Sequence, residues 1–500
     1  MPSNGRAKSL YGRRCAIVTG HHLATRAASS MVDQGGTLTD AMLAASAVLT
    51  VVLPHTSSLG GCAMALFDQS GSGPFALNGT GRAPAAATPA AFGTRMPQRG
   101  AAAAVTPTLV RFWARAHERF AVLPWRQLLA PAIELAEQGC AASEELVRNL
   151  ENADPLTRGQ PGFEGAFAPG GQWLRRGALL RQPALAAVLR EIAQHGERGF
   201  YAGWVAQSLV QASRQAQGLL AEADLAAAQA DWVTPWDAEF AGYRVHAMPP
   251  NSMGALMLAQ LGTPATDTAT HIQEAIRVIA QGQERIGDPS RATLGRDDWA
   301  RLAGEGGRPQ VRPEPGDTTG FVAMDDSGAA VAMLQSVFQP FGSGVVDPGT
   351  GVLLNNRMFD FSLEPGHVNE VAPGMRPRHT LNPYLVTRSG RPHLAGVSPG
   401  GISQTTTGAQ VLRGALLEPA RSLGEIVTRD RWSLGRDGAV LLEAGVPPDV
   451  AQRLRAQGLA VTENSDHEFY FGSAKVVRRD AEGSLEAAAD PRRQANAAAW

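Results

Sequence analysis

One stretch in the C-terminal half constrains the fold most strongly, because it joins two apolar runs by a short turn. Residues 321–324 and 330–334 are apolar, and residues 325–328 between them read Asp-Asp-Ser-Gly. This link predicts a β-hairpin, since glycine accepts the positive φ that tight hairpin turns require. A loop rich in glycine and proline, residues 304–316, precedes the first run. The first run is therefore expected to be a buried strand that follows a flexible, cleavable loop.

Thr318 lies at the N-terminal end of this predicted strand, a position that suits self-cleavage. Its hydroxyl could attack the carbonyl of Asp317, and water could then open the resulting ester. The new chain would begin at Thr318, whose free α-amine, with an ordinary pKa of about 8, can act as base for its own hydroxyl. The alternative is that Thr318 and Thr319 only begin a strand, because threonine favours strands.

Length and charge exclude several classes of protein. The chain has 500 residues, of which 44% are hydrophobic, so a large core is possible. With a net charge of −1, the chain has no excess of positive charge that would bind nucleic acid or an anionic membrane. The most apolar run, residues 41–53, is shorter than the roughly 20 residues that span a bilayer, and residues 1–14 lack an apolar signal core. We therefore expect a cytoplasmic protein without membrane contact.

Neither the cysteines nor the histidines indicate a metal centre. The three cysteines are Cys15, Cys62 and Cys140. They are too few and too dispersed for a disulfide framework or a zinc site, and Cys62 is expected to be a buried small residue. Three histidines in the N-terminal region, at positions 21, 22 and 55, have no carboxylates at ligand spacing nearby. No metal and no cofactor are expected.

Hydrophobic periodicity predicts strands and helices that alternate along most of the chain. Before the hairpin, strands are predicted at 16–19, 64–67, 75–78 and 243–248, and helices at 21–36, 37–53, 255–261 and 272–286, with residues 140–230 largely helical. After the hairpin, strands are predicted at 385–387, 392–397, 439–442 and 474–477, and a helix at 406–416. Thr37 or Thr39 is the expected cap of the second helix, with Asp40 in its first turn.

Four motifs follow the hairpin in a distinctive order. They are residues 341–344 (FGSG), 348–362 (PGTGVLLNNRMFDFS), 373–377 (PGMRP) and 398–401 (SPGG). In this order and spacing they resemble the γ-glutamyltransferase family, autoprocessing enzymes of the N-terminal nucleophile class. The resemblance covers nearly the whole chain. Residues 21–24 (HHLA) and 376–383 (RPRHTLNP) look like the oxamate amidohydrolase branch of that family.

The resemblance implies an α/β (α+β) fold, the four-layer αββα sandwich of N-terminal nucleophile hydrolases, with two mostly antiparallel central sheets. It also implies that self-cleavage produces a large α subunit, residues 1–317, and a small catalytic β subunit, residues 318–500. The two fragments would form one intertwined folding unit and stay together as a heterodimer. The expected partners are a small-molecule amide substrate and the complementary fragment, and a dimer of these heterodimers is left open.

The same resemblance assigns roles to the catalytic residues. Thr318 would be the nucleophile and Thr319 would orient it. Ser336 matches a second threonine of the family, whose hydroxyl bonds the nucleophile. Gly400 and Gly401 match the glycines of the oxyanion hole, whose backbone N–H groups stabilise the developing negative charge. The alternative for this last pair is that Pro-Gly-Gly is only a turn.

The chain departs from the family where the family binds its amino-acid substrate. Thr80 stands where the family has the arginine that grips the glutamyl α-carboxylate, and Arg82 lies two residues away. Phe338 replaces an asparagine that helps to hold the substrate amine. These two changes remove groups that recognise a zwitterion.

Further changes add a cation to the same pocket. Arg357 replaces a glutamine or glutamate, Asp360 is retained, and His379 and Thr380 replace a pair of serines. A guanidinium can bind a carboxylate through two parallel hydrogen bonds. His379 could also donate to a carboxylate, or could be a core histidine with its bonds satisfied. The pocket is therefore expected to suit a small amide that carries a carboxylate.

Three hypotheses follow from the sequence. The first is an autoprocessed amidohydrolase that acts on oxamate or a similar small acid amide. The second is a γ-glutamyl hydrolase or transferase that acts on glutathione and γ-glutamyl amides. The third is an uncleaved relative that serves as a binding protein, because Gly320 stands where the family usually has histidine and could impair self-cleavage.

Overall fold

The computed structural model describes residues 7–264, 267–296, 298, 302, 316–435, 437–463 and 471–500. Most of the predicted loop at 304–316 lies outside these residues, and only Gly316 is described. No helix within the described ranges is both long and apolar enough to cross a lipid bilayer.

Strands occur along the whole chain. They are β1 (Leu10–Gly12), β2 (Cys15–Thr19), β3 (Cys62–Asp68), β4 (Phe75–Gly79), β5 (Cys140–Ala141), β6 (Leu179–Leu180), β7 (Asp231–Val233), β8 (Trp236–Phe240), β9 (Tyr243–Ala247), β10 (Asp317–Asp325), β11 (Ala330–Phe338), β12 (Tyr384–Arg388), β13 (Arg391–Val397), β14 (Trp432–Leu434), β15 (Val440–Leu442), β16 (Val461–Glu463), β17 (Lys475–Arg479), β18 (Leu485–Ala489) and β19 (Asn496–Ala499).

Helices lie mainly between the early strands and after β13. They are α1 (His22–Asp33), α2 (Leu38–Val52), α3 (Leu109–Phe120), α4 (Trp125–Gln138), α5 (Glu144–Glu151), α6 (Pro155–Arg158), α7 (Phe163–Phe167), α8 (Pro183–His195), α9 (Arg198–Tyr201), α10 (Gly203–Gln215), α11 (Glu222–Ala226), α12 (Gly254–Leu261), α13 (Thr268–Gln283), α14 (Ser403–Leu417), α15 (Leu423–Val427) and α16 (Pro448–Ala456).

Two seven-stranded sheets form the centre of the molecule. One has the order β19-β2-β10-β11-β3-β4-β7, and the other has the order β1-β18-β17-β13-β12-β9-β8. Neighbouring strands in both sheets are antiparallel. The predicted hairpin is the β10–β11 pair at the centre of the first sheet, with Val322 opposite Ala332.

The continuous apolar run of β10 is explained by burial on both faces. Val322 and Met324 pack in the core between the two sheets, together with Leu385 and Val397 of the second sheet. Side chains alternate along a strand. Phe321 and Ala323 therefore point to the opposite face, into the core beneath the outer helices. A strand with two buried faces has no polar side, so its sequence does not alternate.

Helices cover the outer face of each sheet, which confirms the four-layer αββα architecture and the α+β fold expected from the resemblance. α2 is buried along its whole length and begins with a capping box, in which Thr37 and Asp40 bond each other's backbone N–H groups. On the other side, α12, α14 and α15 pack over the second sheet. The chain crosses between the sheets repeatedly, so the segments before and after Thr318 share both of them.

The observed elements differ from the predicted ones mainly at their ends. α13 spans Thr268–Gln283 instead of 272–286, because Asp267 caps it by accepting the N–H of Thr270. The terminal alanine run was not predicted as structure, yet it forms β19, in which Ala498 pairs with Ile17. Alanine has low strand propensity. The strand conformation of β19 is therefore attributed to its antiparallel pairing with β2 at the edge of the sheet.

Candidate active site

Thr318 lies at the start of the central strand β10 and is almost fully buried. Asp317 pairs with Phe338 and Thr319 with Gln335, so two residues of β11, Ser336 and Val337, stand opposite Thr318. This extra residue is a β-bulge, which turns side chains away from the regular pleat. The bulge therefore aims the hydroxyl of Ser336 at the backbone around Thr318.

Two side-chain groups hold the peptide bond between Asp317 and Thr318. The Ser336 hydroxyl donates to the carbonyl oxygen of Asp317 at 2.7 Å, and it accepts the N–H of Phe338 at 2.8 Å. The N–H of Thr318 donates to Oδ1 of Asp317 at 2.8 Å. Because the Phe338 N–H occupies an acceptor site of the Ser336 oxygen, the hydroxyl proton is directed at the Asp317 carbonyl, which it polarises.

The hydroxyl of Thr318 faces Gln404 on α14. Nε2 of Gln404 lies 3.4 Å from Oγ1 of Thr318, which is a long hydrogen bond, while Oε1 of Gln404 accepts the N–H of Asn382 at 3.1 Å. Sequence reasoning missed Gln404. Its only signal is its position in the first turn of the helix that follows Gly401.

Gly400 and Gly401 lie just before α14, and Gly401 is next to Gly316. Both have positive φ, 129° and 58°, a region that favours glycine. A Cβ built on Gly316 would lie 3.0 Å from Cα of Gly401, so the two backbones pass in contact. The N-terminal end of a helix carries partial positive charge, and the position of this pair at such an end is compatible with stabilisation of an oxyanion.

Thr319 and Gly320 are shaped by close packing. A Cβ on Gly20 would collide with Oγ1 of Thr319, and this hydroxyl has no hydrogen-bond partner among the described residues. A Cβ on Gly320 would lie 2.6 Å from the carbonyl oxygen of Met333 and 3.0 Å from Cγ2 of Val397. The glycine at 320, where the family usually has histidine, is therefore required by the packing of the two sheets.

Arg357 and Phe338 form one stacked unit, and Phe338 lies opposite Asp317. Arg357 opens a 3₁₀ turn, Arg357–Asp360, and its side chain is buried. Its guanidinium carbon lies 3.8 Å from the centre of the Phe338 ring, a cation–π contact. Phe338 ends β11 opposite Asp317 and has a φ of 86°, an uncommon backbone conformation for a bulky residue. The stack therefore places the Arg357 guanidinium on the ring of the residue that pairs with Asp317.

His379 is fully buried and neutral. Its Nδ1 accepts the N–H of Leu381 at 3.2 Å, so the ring proton resides on Nε2, which lies 3.2 Å from Sγ of Cys62. Burial, and then the charge of Arg357, lower the pKa of His379 well below its usual value. Burial raises the pKa of Cys62 to about 11, so the thiol stays protonated. Both ring nitrogens of His379 thus have partners inside the protein.

Asp360 is engaged in a buried ion pair that sequence reasoning missed. Oδ1 of Asp360 lies 3.4 Å from the guanidinium of Arg378, and both side chains are buried. Asn369 fixes the backbone of both residues, since its amide donates to the carbonyl of Asp360 and accepts the N–H of Arg378. Arg378 also donates to the carbonyl of Gln283 at 2.7 Å.

The remaining predicted residues are tied to their neighbours. Thr80 donates its hydroxyl to Oδ1 of Asn78 at 2.6 Å, and its carbonyl accepts from Arg376. Arg82 donates to the carbonyl of Gly374 and lies within 4 Å of two carboxylates, those of Asp231 and Asp288. Thr380 is buried beside His379.

The fold and the threonine at the head of a central strand define the class. A four-layer αββα sandwich with this arrangement is that of an N-terminal nucleophile hydrolase. The sequence model described as Gamma-glutamyltranspeptidase matches residues 24–500, and the chain belongs to that family of enzymes.

Relatives whose names state different activities resemble the chain over nearly their whole length. The oxamate amidohydrolase proenzyme of Klebsiella pneumoniae is 33% identical over 97% of this chain and 98% of its own. The glutathione hydrolase-like YwrD proenzyme of Bacillus subtilis is 30% identical over 97% and 98%. Among solved structures, the cephalosporin acylase from Bacillus halodurans superposes with a TM-score of 0.90 at 29% identity, covering 100% of this chain and 98% of its own. The family is shared, whereas the substrates named differ.

Proposed function

We propose that this chain cleaves itself between Asp317 and Thr318 and then hydrolyses the amide of a small substrate that carries a carboxylate. Oxamate is the simplest such substrate. The mature protein would contain two fragments, residues 1–317 and 318–500. The relatives named as proenzymes support processing, and the hydrogen bond from Ser336 to the Asp317 carbonyl supports this particular bond.

In the proposed reaction, the free α-amine of Thr318 accepts the proton of its own hydroxyl, which attacks the carbonyl carbon of the substrate amide. The oxyanion that forms would be stabilised by backbone N–H groups at Gly400 and Gly401. Preorganised donors of this kind typically contribute about 3 kcal/mol each. Ammonia then leaves with the proton, and water hydrolyses the acyl ester on Thr318.

The observation that carries the choice of substrate is the buried pair of Asp360 and Arg378. The negative charge of the Asp360 carboxylate is already compensated by the guanidinium of Arg378. A substrate ammonium would therefore gain little binding energy from this carboxylate. Arg357 is stacked on Phe338, which pairs with Asp317, and its guanidinium is a group that suits a carboxylate. An acid amide without an amino group fits these charges better than a γ-glutamyl compound.

Two assays on purified protein test the proposal. A denaturing gel with N-terminal sequencing should show two bands, the smaller beginning at Thr318, while Thr318→Ala should remain a single band. The processed protein should release ammonia from oxamate, and it should release little p-nitroaniline from a γ-glutamyl anilide. Thr318→Ser is the matched control, because it retains a hydroxyl and should still be cleaved. Robust turnover of the anilide alone would reject the acid-amide assignment.

A γ-glutamyl hydrolase is the second candidate. Asp360 is retained, and the Bacillus relative is named as glutathione hydrolase-like. This candidate requires Asp360 to leave Arg378 when substrate binds. Its signature would be p-nitroaniline release that saturates with the anilide and is inhibited by glutathione.

A further inference from the structure

Asp317 sits in a buried cluster of charged groups that the proposed hydrolysis does not use. Arg493 forms a short ion pair with Oδ1 of Asp317 and lies 3.7 Å from Oε1 of Glu145. Nε2 of His55 lies 3.8 Å from the same Glu145 oxygen. The three side chains that face Asp317 come from α5, from the segment after α2 and from the C-terminal segment, so distant parts of the chain meet at this residue.

Arg493 is held in place by the residues just before it. Nε of Arg492 donates to Glu443 at 2.7 Å, and the N–H of Arg492 donates to Asp490. Asp490 in turn pairs with Arg431 at 2.7 Å. All of these side chains are buried. A segment anchored by this network has little freedom, so the guanidinium of Arg493 is preorganised on Asp317.

A metal site is the other function that these residues could serve. One ligand atom from each of His55, Glu145 and Asp317 lies within 4.8 Å of the others. However, two cations, Arg493 and Lys475, interact with the two carboxylates. Burial, and then the charge of Arg493, lower the pKa of Lys475 to about 8, against the opposing charges of Glu145, Asp490 and Asp317. The carboxylates are therefore balanced by side chains, and a divalent ion would be repelled by Arg493.

We propose that Arg493 is a positioning residue for self-cleavage. This inference rests on the proposed function. Arg493 fixes the Asp317 carboxylate where Oδ1 accepts the N–H of Thr318, so the scissile amide cannot rotate away from the hydroxyl that attacks it. The same carboxylate then faces the nitrogen that leaves as an amine.

The step balances with water as the only other reactant. A bond forms between Oγ1 of Thr318 and the carbonyl carbon of Asp317, and the carbonyl electron pair moves onto the oxygen that faces Ser336. When the carbonyl re-forms, the C–N bond breaks with its electron pair on the Thr318 nitrogen, which takes the hydroxyl proton. Water then hydrolyses the ester, which leaves an α-carboxylate on Asp317 and restores the threonine hydroxyl. The Asp317 side chain, held by Arg493, lies next to the new amine throughout.

The test measures the rate of self-cleavage of the full chain after a labelled pulse of cell-free translation, followed on a denaturing gel. Arg493→Met should slow cleavage by about a hundredfold, the effect typical of a misplaced reacting group. Arg493→Lys retains the charge and should recover at least about a tenth of the wild-type rate. Arg190→Met, which removes an exposed paired arginine, is the matched control and should cleave like the wild type.

Asp317→Asn provides a second measurement if Arg493→Met does not fold. The asparagine oxygen can still accept the Thr318 N–H but carries no charge for Arg493, so cleavage should be slowed less than in Asp317→Ala.

A folded Arg493→Met chain that is cleaved at the wild-type rate would overturn this inference alone. Equal slowing in Arg493→Met and Arg493→Lys, with equal loss of thermal stability, would show a structural role and also overturn it. A wild-type chain that stays intact would overturn the proposed function as well.

Discussion

The hydroxyl of Ser336 donates a hydrogen bond to the backbone carbonyl oxygen of Asp317 at 2.7 Å, across the bulge between β10 and β11. The carbonyl carbon of this group is the atom that the neighbouring threonine would attack. A donor on the carbonyl oxygen stabilises the negative charge that develops there. In the proposed self-cleavage, Ser336 would therefore stabilise the oxyanion that forms at Asp317.

Replacing Ser336 by alanine should slow self-cleavage by about a hundredfold, since loss of one oxyanion donor typically costs about 3 kcal/mol. Ser336→Thr should retain most of the rate, because it keeps the hydroxyl. The fraction of uncleaved chain over time on a denaturing gel measures both. Cleavage of Ser336→Ala at the wild-type rate would show that the bond to Asp317 has no part in processing.

Arg378→Leu should shift specificity towards substrates with an ammonium group. The substitution removes the guanidinium that faces Asp360, so the carboxylate can accept a substrate amine. The ratio of kcat/KM for a γ-glutamyl anilide to that for oxamate should rise by at least about tenfold, which corresponds to about 1.4 kcal/mol. Arg378→Lys retains the positive charge and serves as the control.

The same substitution has a cost in stability. Breaking a buried ion pair by removal of one partner typically destabilises a protein by about 3–5 kcal/mol, so Arg378→Leu should show a clearly lower Tm. If its Tm falls but the ratio of the two activities stays constant, the pair supports the fold without selecting the substrate.

Gly320→Ala should destabilise the protein although alanine is the smallest side chain. A Cβ at this position would lie 2.6 Å from the carbonyl oxygen of Met333, and overpacking of a tight core typically costs about 1–3 kcal/mol. Urea unfolding would measure the loss. Gly165→Ala is the control, because a Cβ there meets nothing within 4 Å. Equal stability of both variants would mean that the strands can separate enough to admit a side chain.

The central hairpin could be predicted from sequence because its signal is local. Two short apolar runs on either side of a turn containing Gly328 are typical of a hairpin of buried strands. By contrast, β1 and β19 were not predicted. They are short, and Ala498 and its neighbours have low strand propensity, so only pairing with a distant strand makes them strands.

The charge pairs of the site could not be predicted, because they depend on contacts that have no local signal. Arg378 meets Asp360 across 18 residues, and Arg493 meets Asp317 across 176. The family resemblance drew attention to Asp360 as a retained residue, but only the folded chain shows that its carboxylate faces an arginine. Contacts between residues this far apart arise from tertiary packing, which local sequence patterns do not reveal.

Acid should destabilise the protein partly through His271. This buried ring packs edge-on against Trp432, and burial, followed by the charge of Arg413, lowers its pKa to about 4. In the unfolded chain the pKa is about 6.5, so between pH 6.5 and pH 4 the unfolded state binds a proton that the folded state does not. The free energy of unfolding therefore falls as pH falls through this window.

The contribution of His271 should be at most about 3.5 kcal/mol, because its pKa falls from 6.5 to about 4 and each unit corresponds to about 1.4 kcal/mol. His271→Phe retains an aromatic edge against Trp432 and cannot take up a proton, so its Tm should fall less steeply than that of the wild type between pH 6.5 and pH 4.5. The exposed His195→Gln is the control and should keep the wild-type slope. Since burial also lowers the pKa values of His21 and His246 to about 4, part of the acid sensitivity should survive in His271→Phe. Parallel Tm curves for His271→Phe and the wild type would mean that His271 is protonated equally in both states.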